Sequence, residues 1–247
     1  MYDDAVFGYL GDGGIMYENC DALALRRHPF SETSYVLTLF TREFGRVDAL
    51  AKGARRLRNP LFGHFDFLAY EEITLFRRPR SGLDLATAAA FYSDFPRLRS
   101  VPARFAAAGI FAEILLAACQ PSDPHRVLFD DLLATLRDLD AGGNIFTTAT
   151  AGLLSMLREL GFAPRLHECV NCGATNVARA FLSPSRGGLV CENCAAAAPE
   201  FLLSRLDLAR LRGETDGDAR TLRTLKHYAE YVLGRELVSF HLFFRLI

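Results

Sequence analysis

The first third of the chain has the pattern of short β-strands. Between Ala22 and about Tyr92, apolar and β-favouring residues form five short runs separated by turn-forming residues. Five short strands within roughly 70 residues favour a small closed barrel, because closure removes exposed strand edges. The predicted strands are Ala22–His28, Thr33–Thr41, Arg46–Ala51, Phe65–Arg77 and Leu83–Tyr92.

Beyond residue 95 the apolar residues recur at the helical period instead. The first helix is predicted over Pro102–Ala118, and Asp123 followed by Pro124 is typical of the start of a second one. Asn144 predicts the start of a third helix, which Gly161 ends. Two further helices are predicted over Ser204–Arg212 and Thr221–Phe240, so this part of the chain is expected to form a helical bundle.

Four cysteines lie among the helical segments as two Cys-x-x-Cys pairs. Cys169 and Cys172 are separated from Cys191 and Cys194 by 18 residues, a spacing typical of zinc sites. Four thiolates leave no open coordination position, so the pattern predicts one structural Zn²⁺ per chain. Residues 184–188 between the pairs have a turn composition, which indicates a hairpin and therefore a zinc ribbon. Two disulfides or free thiols are the alternative, disfavoured because the N-terminus has no pattern of an export signal.

These patterns together predict an α+β protein with an N-terminal five-stranded β-barrel, a helical bundle domain and an inserted zinc ribbon with four cysteine ligands. Residues 1–19 are acidic and glycine-rich without a period, and they are predicted to be a flexible leader. The predicted boundaries are 1–19 for the leader, 20–95 for the barrel, 96–164 for the first part of the helical domain, 165–200 for the zinc ribbon and 201–247 for the C-terminal part of the helical domain.

The charge distribution points to a polyanionic partner for the barrel. The 247 residues carry 28 Lys+Arg and 29 Asp+Glu, but residues 20–80 contain 11 bases and 7 acids. A regional excess sets the local potential even when the whole chain is nearly neutral. The candidate DNA-binding residues are Arg42, Arg46, Lys52, Arg55, Arg56 and Arg58. A solvated loop is the alternative for these charges.

Aromatic residues in the same region are candidates for stacking on bases, with core packing as the favoured alternative for most of them. They are Tyr35, Phe40, Phe44, Phe62, Phe65 and Phe67.

No catalytic constellation is evident in the sequence. The six histidines form no metalloprotease-type pair, and no nucleophile-elbow motif is present. The chain is therefore expected not to be an enzyme. A metal-dependent nuclease is the alternative function, and it would need carboxylates gathered around Mg²⁺. A protein-only adaptor is a third possibility. Apolar runs such as Ala106–Leu116 are too short to span a bilayer, so a soluble intracellular protein is expected.

Several segments resemble the RecO family of recombination mediators, in the family's order. They include Leu-Phe-Thr-Arg-Glu-Phe-Gly-Arg-Val at 39–47, Ala-Lys-Gly-Ala-Arg-Arg at 51–56, Leu-Gly-Phe-Ala-Pro at 160–164 and Tyr-Val-Leu-Gly-Arg-Glu-Leu-Val-Ser at 231–239. The resemblance covers about residues 22–245 and includes residues 22–34, 95–99 and the four-cysteine segment. It implies that the barrel is of the OB type and that the protein lies in the bacterial cytoplasm, associated with the nucleoid.

The resemblance also implies a function. Members of the family bind single- and double-stranded DNA, anneal complementary strands, and cooperate with RecR in loading recombinase on strands coated by single-strand-binding protein. The acidic tail of single-strand-binding protein is therefore an expected partner. We expect it on the helical domain, which is rich in arginine, while DNA occupies the barrel. The basic residues in question are Arg104, Arg126, Arg137, Arg158, Arg220, Arg223 and Lys226.

Overall fold

The computed structural model describes residues 16–78, 83–195 and 202–247. The chain divides into two compact units. The sheet unit comprises the residues up to Asp94 together with Cys119–Phe129, and the helical unit comprises Phe95–Ala118 and Asp130–Ile247. Within the described residues, no helix is both long and apolar enough to cross a membrane.

Five strands make up the sheet unit, and they close on themselves in the order β1-β2-β3-β5-β4. All neighbouring strands are antiparallel except β3 and β5, which are parallel. The α+β class with five N-terminal strands is thus confirmed. The strands are β1 Met16–Pro29, β2 Tyr35–Thr41, β3 Gly45–Ala51, β4 Tyr70–Arg77 and β5 Asp84–Ser93.

Side chains alternate between the two faces along each strand, and those that point inward fill the interior of this closed sheet. Leu37 and Leu39 of β2 face inward with Val47 and Ala49 of β3, and all four are buried in one apolar cluster. The opposite positions of the same strands point outward, as the period of two requires. Burial of this inward face stabilises the sheet, because apolar area is removed from water.

The first strand corrects the prediction of a flexible leader over residues 1–19. Residues 16–19 belong to β1 and pair with the end of β4, so that Tyr17 lies opposite Phe76. The rings of these two residues are 5.2 Å apart, and Asn19 accepts a hydrogen bond from Thr74 at 2.8 Å. These partners lie more than fifty residues away along the chain, so no local pattern shows them. Residues 1–15 are outside the described residues.

The fourth strand begins later than predicted. Phe65 and Leu68 have φ of 66° and 58°, in the left-handed region that non-glycine residues rarely adopt, which interrupts a strand. The Phe65 N–H donates to a carboxylate oxygen of the buried Glu71 at 3.0 Å, and the Phe65 side chain is fully buried in the interior. The predicted strand Phe65–Arg77 therefore starts only at Tyr70.

Seven α-helices lie in the described residues. The predicted helix over Pro102–Ala118 is confirmed with its bounds, and Asn144 caps the next predicted start by accepting hydrogen bonds from the N–H groups of Phe146 and Thr147. The helices are α1 Pro96–Ser100, α2 Pro102–Ala118, α3 Arg126–Ala141, α4 Ile145–Glu159, α5 Arg205–Leu211, α6 Ala219–Leu233 and α7 Val238–Arg245.

Two helix boundaries differ from the prediction. The helix expected at Asp123-Pro124 starts at Arg126, and a carboxylate oxygen of Asp123 lies 3.3 Å from His125 Nε2 instead of capping. The helix expected over Thr221–Phe240 is two helices, because Gly234 ends α6 with φ of 64°.

The segment between α2 and α3 lies in the sheet unit rather than with the helices. The Ser122 N–H donates to the carbonyl of Arg46 at 2.8 Å, and the ring of Phe129 lies 5.8 Å from that of Phe40 on the outer face of β2. The close approach leaves no room for a side chain at Gly45, where a Cβ would lie 1.9 Å from the Asp123 carbonyl oxygen.

The four-cysteine segment folds as the hairpin expected from its sequence. Strands β6 Ala180–Ser183 and β7 Gly188–Cys191 are antiparallel and joined by a short 3₁₀ turn over Pro184–Arg186. Two backbone hydrogen bonds between Ala180 and Leu203 tie the hairpin to the segment that precedes α5. The Arg212 Nε donates to the carbonyl of Leu166 at 2.8 Å and fastens the segment from the other side.

Candidate nucleic-acid interface and metal centre

The six predicted DNA-binding residues do not lie together. Arg42 lies in the turn before β3 and Arg46 near the start of that strand, whereas Lys52, Arg55, Arg56 and Arg58 follow its end. At about 3.3 Å per residue, the two groups are separated by about 20 Å of strand. Closeness in sequence suggested one patch, but an extended strand separates the two groups.

The residues after β3 form a basic surface with the end of β1. Strand pairing brings Pro29 of β1 opposite Tyr35 of β2, and Tyr35 opposite Ala51 of β3. Residues 27–34 and 52–64 therefore meet, and we call this surface the basic end. It contains five Lys or Arg residues and one acid, Glu32. Arg27 was absent from the predicted set, although the pairing of two adjacent β-runs brings it here. Arg26 lies opposite Thr38, at the middle of β2.

Hydrogen bonds fasten the two loops of the basic end to each other. The Arg55 N–H donates to the carbonyl of Thr33 at 3.0 Å, and the Gly53 N–H donates to Ser34 Oγ at 3.1 Å. Asn59 closes the second loop by donating from its side chain to the carbonyl of Lys52 at 3.3 Å. Gly53 is required here, since its φ is 75° and a Cβ would lie 2.7 Å from Asn59 Nδ2.

The side chain of Arg55 also fastens these loops. Its guanidinium donates to the carbonyl of Ser31 at 2.6 Å and lies 5.8 Å from the ring centroid of Tyr35. Arg27 lies 4.9 Å from the same ring and is 2.7 Å from Asp66. Tyr35 is thus held by two cations, each contributing a modest attraction to its ring. Lys52, Arg56 and Arg58 are exposed on this fixed framework.

His64 ends the second loop and anchors it. Its ring stacks on that of Phe91 at 4.4 Å, and its Nδ1 lies 3.4 Å from a carboxylate oxygen of Glu71. Burial lowers the pKa of His64 below its ordinary value, which favours the neutral ring in the stack. The exposed cations of the second loop therefore lie on a segment whose last residue is packed against the sheet.

Arg42 and Arg46 lie in a different environment. Both are half-buried, and the Arg42 N–H donates to the carbonyl of Asp21 at 2.9 Å. Glu43 accepts a hydrogen bond from the Asp21 N–H, and burial raises the pKa of Glu43. Acids and partial burial make this end a poorer surface for phosphate than the basic end.

The aromatic residues that were candidates for base stacking differ in how deeply they are buried. Phe40 and Phe65 are fully buried, Tyr35 is held by its two arginines, and Phe44 packs on the interior cluster beneath Arg77. Phe62 is exposed on the second loop of the basic end. Phe30 on the first loop is exposed as well and was absent from the predicted set.

The outer face of β2 and β3 carries an acid at its middle. Thr38 of β2 lies opposite Asp48 of β3, and the Thr38 hydroxyl donates to a carboxylate oxygen of Asp48 at 2.7 Å. Asp48 is exposed. A carboxylate there repels a phosphate backbone that crosses this face.

The four cysteines form a compact donor cluster within the helical unit. Their sulfur atoms all lie within 4.8 Å of one another, as four ligands of one ion must. The turn after Cys169 is closed by the Gly173 N–H, which donates to the Cys169 carbonyl at 2.8 Å. Gly173 adopts the positive φ of 72° that this turn needs. The residues fit a tetrahedral all-thiolate metal site.

Backbone groups around the cluster favour the thiolate form of one ligand. Burial raises the pKa of Cys169, but hydrogen bonds from the N–H groups of Cys191, Cys172 and Asn171 outweigh it and lower the pKa to about 6. The Cys191 N–H lies 3.3 Å from Cys169 Sγ. Such N–H groups directed at sulfur are what a metal-bound thiolate requires.

The helical unit also contains a cavity of about 380 Å³. It lies between α4 and the segment that joins α5 to α6, and Leu154, Ala163 and Leu166 line it together with Arg158, Arg210 and Arg212. Not every predicted basic residue of this unit is available to a partner. Both terminal nitrogens of the Arg104 side chain donate to carbonyls at the end of α3 and beyond, those of Leu139 and Gly143.

Comparison with known proteins identifies the class of this protein. Residues 16–94 match the family described as Recombination protein O N terminal, and residues 99–239 match Recombination protein O C terminal. The chain is therefore a DNA recombination and repair protein.

Three relatives illustrate the similarity, all bearing the name DNA repair protein RecO. The one from Rhodopirellula baltica is 38% identical over 189 residues, 75% of this chain and 70% of the relative. The one from Anaeromyxobacter sp. (strain K) is 36% identical over 202 residues, 79% of this chain and 78% of the relative. The one from Pelotomaculum thermopropionicum is 32% identical over 237 residues, 89% of this chain and 91% of the relative. The chain belongs to the RecO family.

Proposed function

We propose that the protein binds single- and double-stranded DNA through the basic end and anneals complementary strands. The observation that carries the proposal is the set of exposed cations on two loops fixed to each other by hydrogen bonds. The closed five-stranded sheet with a parallel β3–β5 pair supports an OB-type barrel, a fold whose faces and loops bind oligonucleotides. Family membership supports the same ligand.

Annealing requires no covalent catalyst. Two strands repel each other through their phosphates, and a protein that neutralises both backbones lowers this repulsion so that base pairing can proceed. We therefore propose that the protein is a mediator and not an enzyme. Among the described residues, the four cysteines are the only cluster of three or more metal-binding groups, so the carboxylates offer no support for a two-metal nuclease site.

The test is the affinity for single-stranded DNA as a function of salt. Each lost phosphate contact should lower the slope of log K against log salt by about 0.7 units on a single strand. We expect the double variant Arg56→Glu, Arg58→Glu to lower both affinity and slope, and the control Arg235→Glu, an exposed arginine of the helical unit, to change neither. Unchanged binding in the double variant would place DNA elsewhere, and strand cleavage in Mg²⁺ would favour the nuclease.

We propose Zn²⁺ as the ion held by Cys169, Cys172, Cys191 and Cys194. An all-cysteine tetrahedral set suits Zn²⁺ and leaves no position for substrate, so the ion would stabilise its segment. Its relatives are bacterial, and we propose that it acts in the cytoplasm at the nucleoid. We also propose boundaries at 165–200 for the zinc ribbon and 201–247 for the C-terminal part of the helical domain. The barrel predicted over 20–95 begins at Met16, and Cys119–Phe129, predicted within 96–164, belongs to the sheet unit.

We propose that RecR and the acidic tail of single-strand-binding protein are its partners. The cavity of the helical unit, which is lined by apolar and polar side chains and by three arginines that also contact acids of this unit, is the candidate receptor for the tail. A tail peptide should bind with a modest affinity that falls with salt, while a short oligonucleotide remains bound. Stoichiometric competition between peptide and oligonucleotide would contradict two separate sites.

A further inference from the structure

The basic end presents large apolar side chains that its fold does not use. Phe30 is 65% exposed and Phe62 is 47% exposed, and each lies on one of the two joined loops. Leu57, between Arg56 and Arg58, is 81% exposed. Single exposed apolar residues need no explanation, but three on one surface with five cations form a patch that does.

Neither ring is needed to hold its loop. The loop of Phe30 is closed by its own N–H, which donates to the carbonyl of Ser34 at 3.0 Å, and by the contacts of Ser31 and Thr33 with Arg55. The loop of Phe62 is closed by Asn59, whose carbonyl accepts the Phe62 N–H at 2.9 Å. The backbone at both positions is fixed while the rings face solvent, so a partner meets exposed rings that project from a fixed backbone.

Phosphate binding requires only cations and does not explain exposed aromatic rings, whereas binding of bases does. An aromatic ring next to cations is the combination that binds a single strand, since cations hold the backbone while unstacked bases lie on the rings. In duplex DNA the base faces are already stacked on each other, so a protein ring reaches them only by unstacking a base step, which costs free energy. The cations would bind both forms, and the rings would favour the single strand.

We infer that Phe30 and Phe62 are a base-stacking pair that gives the basic end its preference for unpaired DNA. This inference rests on the proposed DNA binding and adds to it a second, salt-independent component of affinity. Stacking is sequence-tolerant, because every base has an aromatic face. The preference would release DNA from the rings once strands pair, which suits a protein that anneals.

The experiment compares two ligands of equal length and charge, an oligothymidylate and an abasic oligomer, on the full chain. We expect Phe30→Ala and Phe62→Ala each to weaken oligothymidylate binding by about 5- to 100-fold, and to leave binding of the abasic oligomer and the salt slope unchanged. Phe30→Tyr and Phe62→Tyr should restore affinity because they keep a ring. Tyr231→Ala, which removes a similarly exposed ring of the helical unit, should change neither ligand.

Three outcomes would overturn the inference. Equal losses for both ligands would mean that the rings support the cations and not the bases. If the alanine variants bound both oligomers with unchanged affinity, the two rings would not contact DNA and would instead be a surface for a protein partner. If the wild-type chain bound the abasic oligomer without salt dependence, the proposed function itself would fail. The last outcome is seen in the wild-type chain alone, so it can be told apart from the other two.

Discussion

Arg55 and Arg56 are neighbours with different surroundings. Both are exposed, but Arg55 donates to the carbonyl of Ser31 and lies near the ring of Tyr35, whereas the Arg56 side chain makes no such contact with the described residues. Their charges are equal, so sequence alone assigns both to DNA. At the scale of single residues the structure separates a cation that fastens two loops from a cation that is free to meet phosphate.

We predict different stability effects for the two residues. Arg55→Ala should lower the free energy of unfolding by about 1 kcal/mol, because a charge-assisted hydrogen bond and a cation–π contact are lost. Arg56→Ala should change it by less than about 0.5 kcal/mol, as is usual for an exposed loop residue. Urea unfolding of both variants measures the difference. Equal stabilities would show that the loops are held by their backbone bonds alone.

The strands position acids as well as bases. Asp48 lies at the middle of the outer face of β2 and β3, and its bond with Thr38 fixes it there. A DNA strand that extends from the basic end across this face meets a negative charge halfway along β3.

We predict that Asp48→Asn strengthens DNA binding if the strand takes this path. Removing one carboxylate near the phosphates should raise affinity a few-fold at low salt and less at high salt, because salt screens exposed charges. The asparagine keeps an oxygen for Thr38, so folding should be little changed. Affinity measured at two salt concentrations tests this, and Glu236→Gln, which neutralises an exposed acid shortly before α7, is the control. No gain would mean that DNA leaves the basic end in another direction.

The two units divide the chemistry of the molecule between them. Every cation of the basic end belongs to the sheet unit, and all four cysteines belong to the helical unit. The hairpin of the cysteine segment forms backbone hydrogen bonds with Leu203, which lies shortly before α5. Arg212, which follows that helix, donates a hydrogen bond to Leu166, which lies shortly before the cysteines. Loss of the metal should therefore destabilise this part of the helical unit first.

We predict that removing the metal loosens the helical unit and spares DNA binding. Purified protein should contain one zinc per chain, and chelation or Cys172→Ser should increase amide exchange in the hairpin and in α5. The salt slope for single-stranded DNA should be unchanged. Protein without zinc, or a marked loss of DNA affinity on chelation, would contradict this division.

Some features of this protein could be predicted from short stretches of sequence. The cysteine pairs, the cap at Asn144 and the end of its helix near Gly161 depend on residues a few positions apart, and the structure has them where the sequence indicated. The alternating burial in β2 and β3 could also be predicted locally, because successive side chains of a strand point to opposite faces of the sheet.

Other features depended on contacts between distant segments. Residues 16–19 have no strand pattern of their own and become part of β1 only by pairing with β4. Arg42 and Arg46 are separated from Lys52 and its neighbours by the length of β3. Arg27 reaches the basic end because β1 ends beside it. The local backbone determines how a residue points, but only the tertiary pairing of strands determines which charges and rings share a surface.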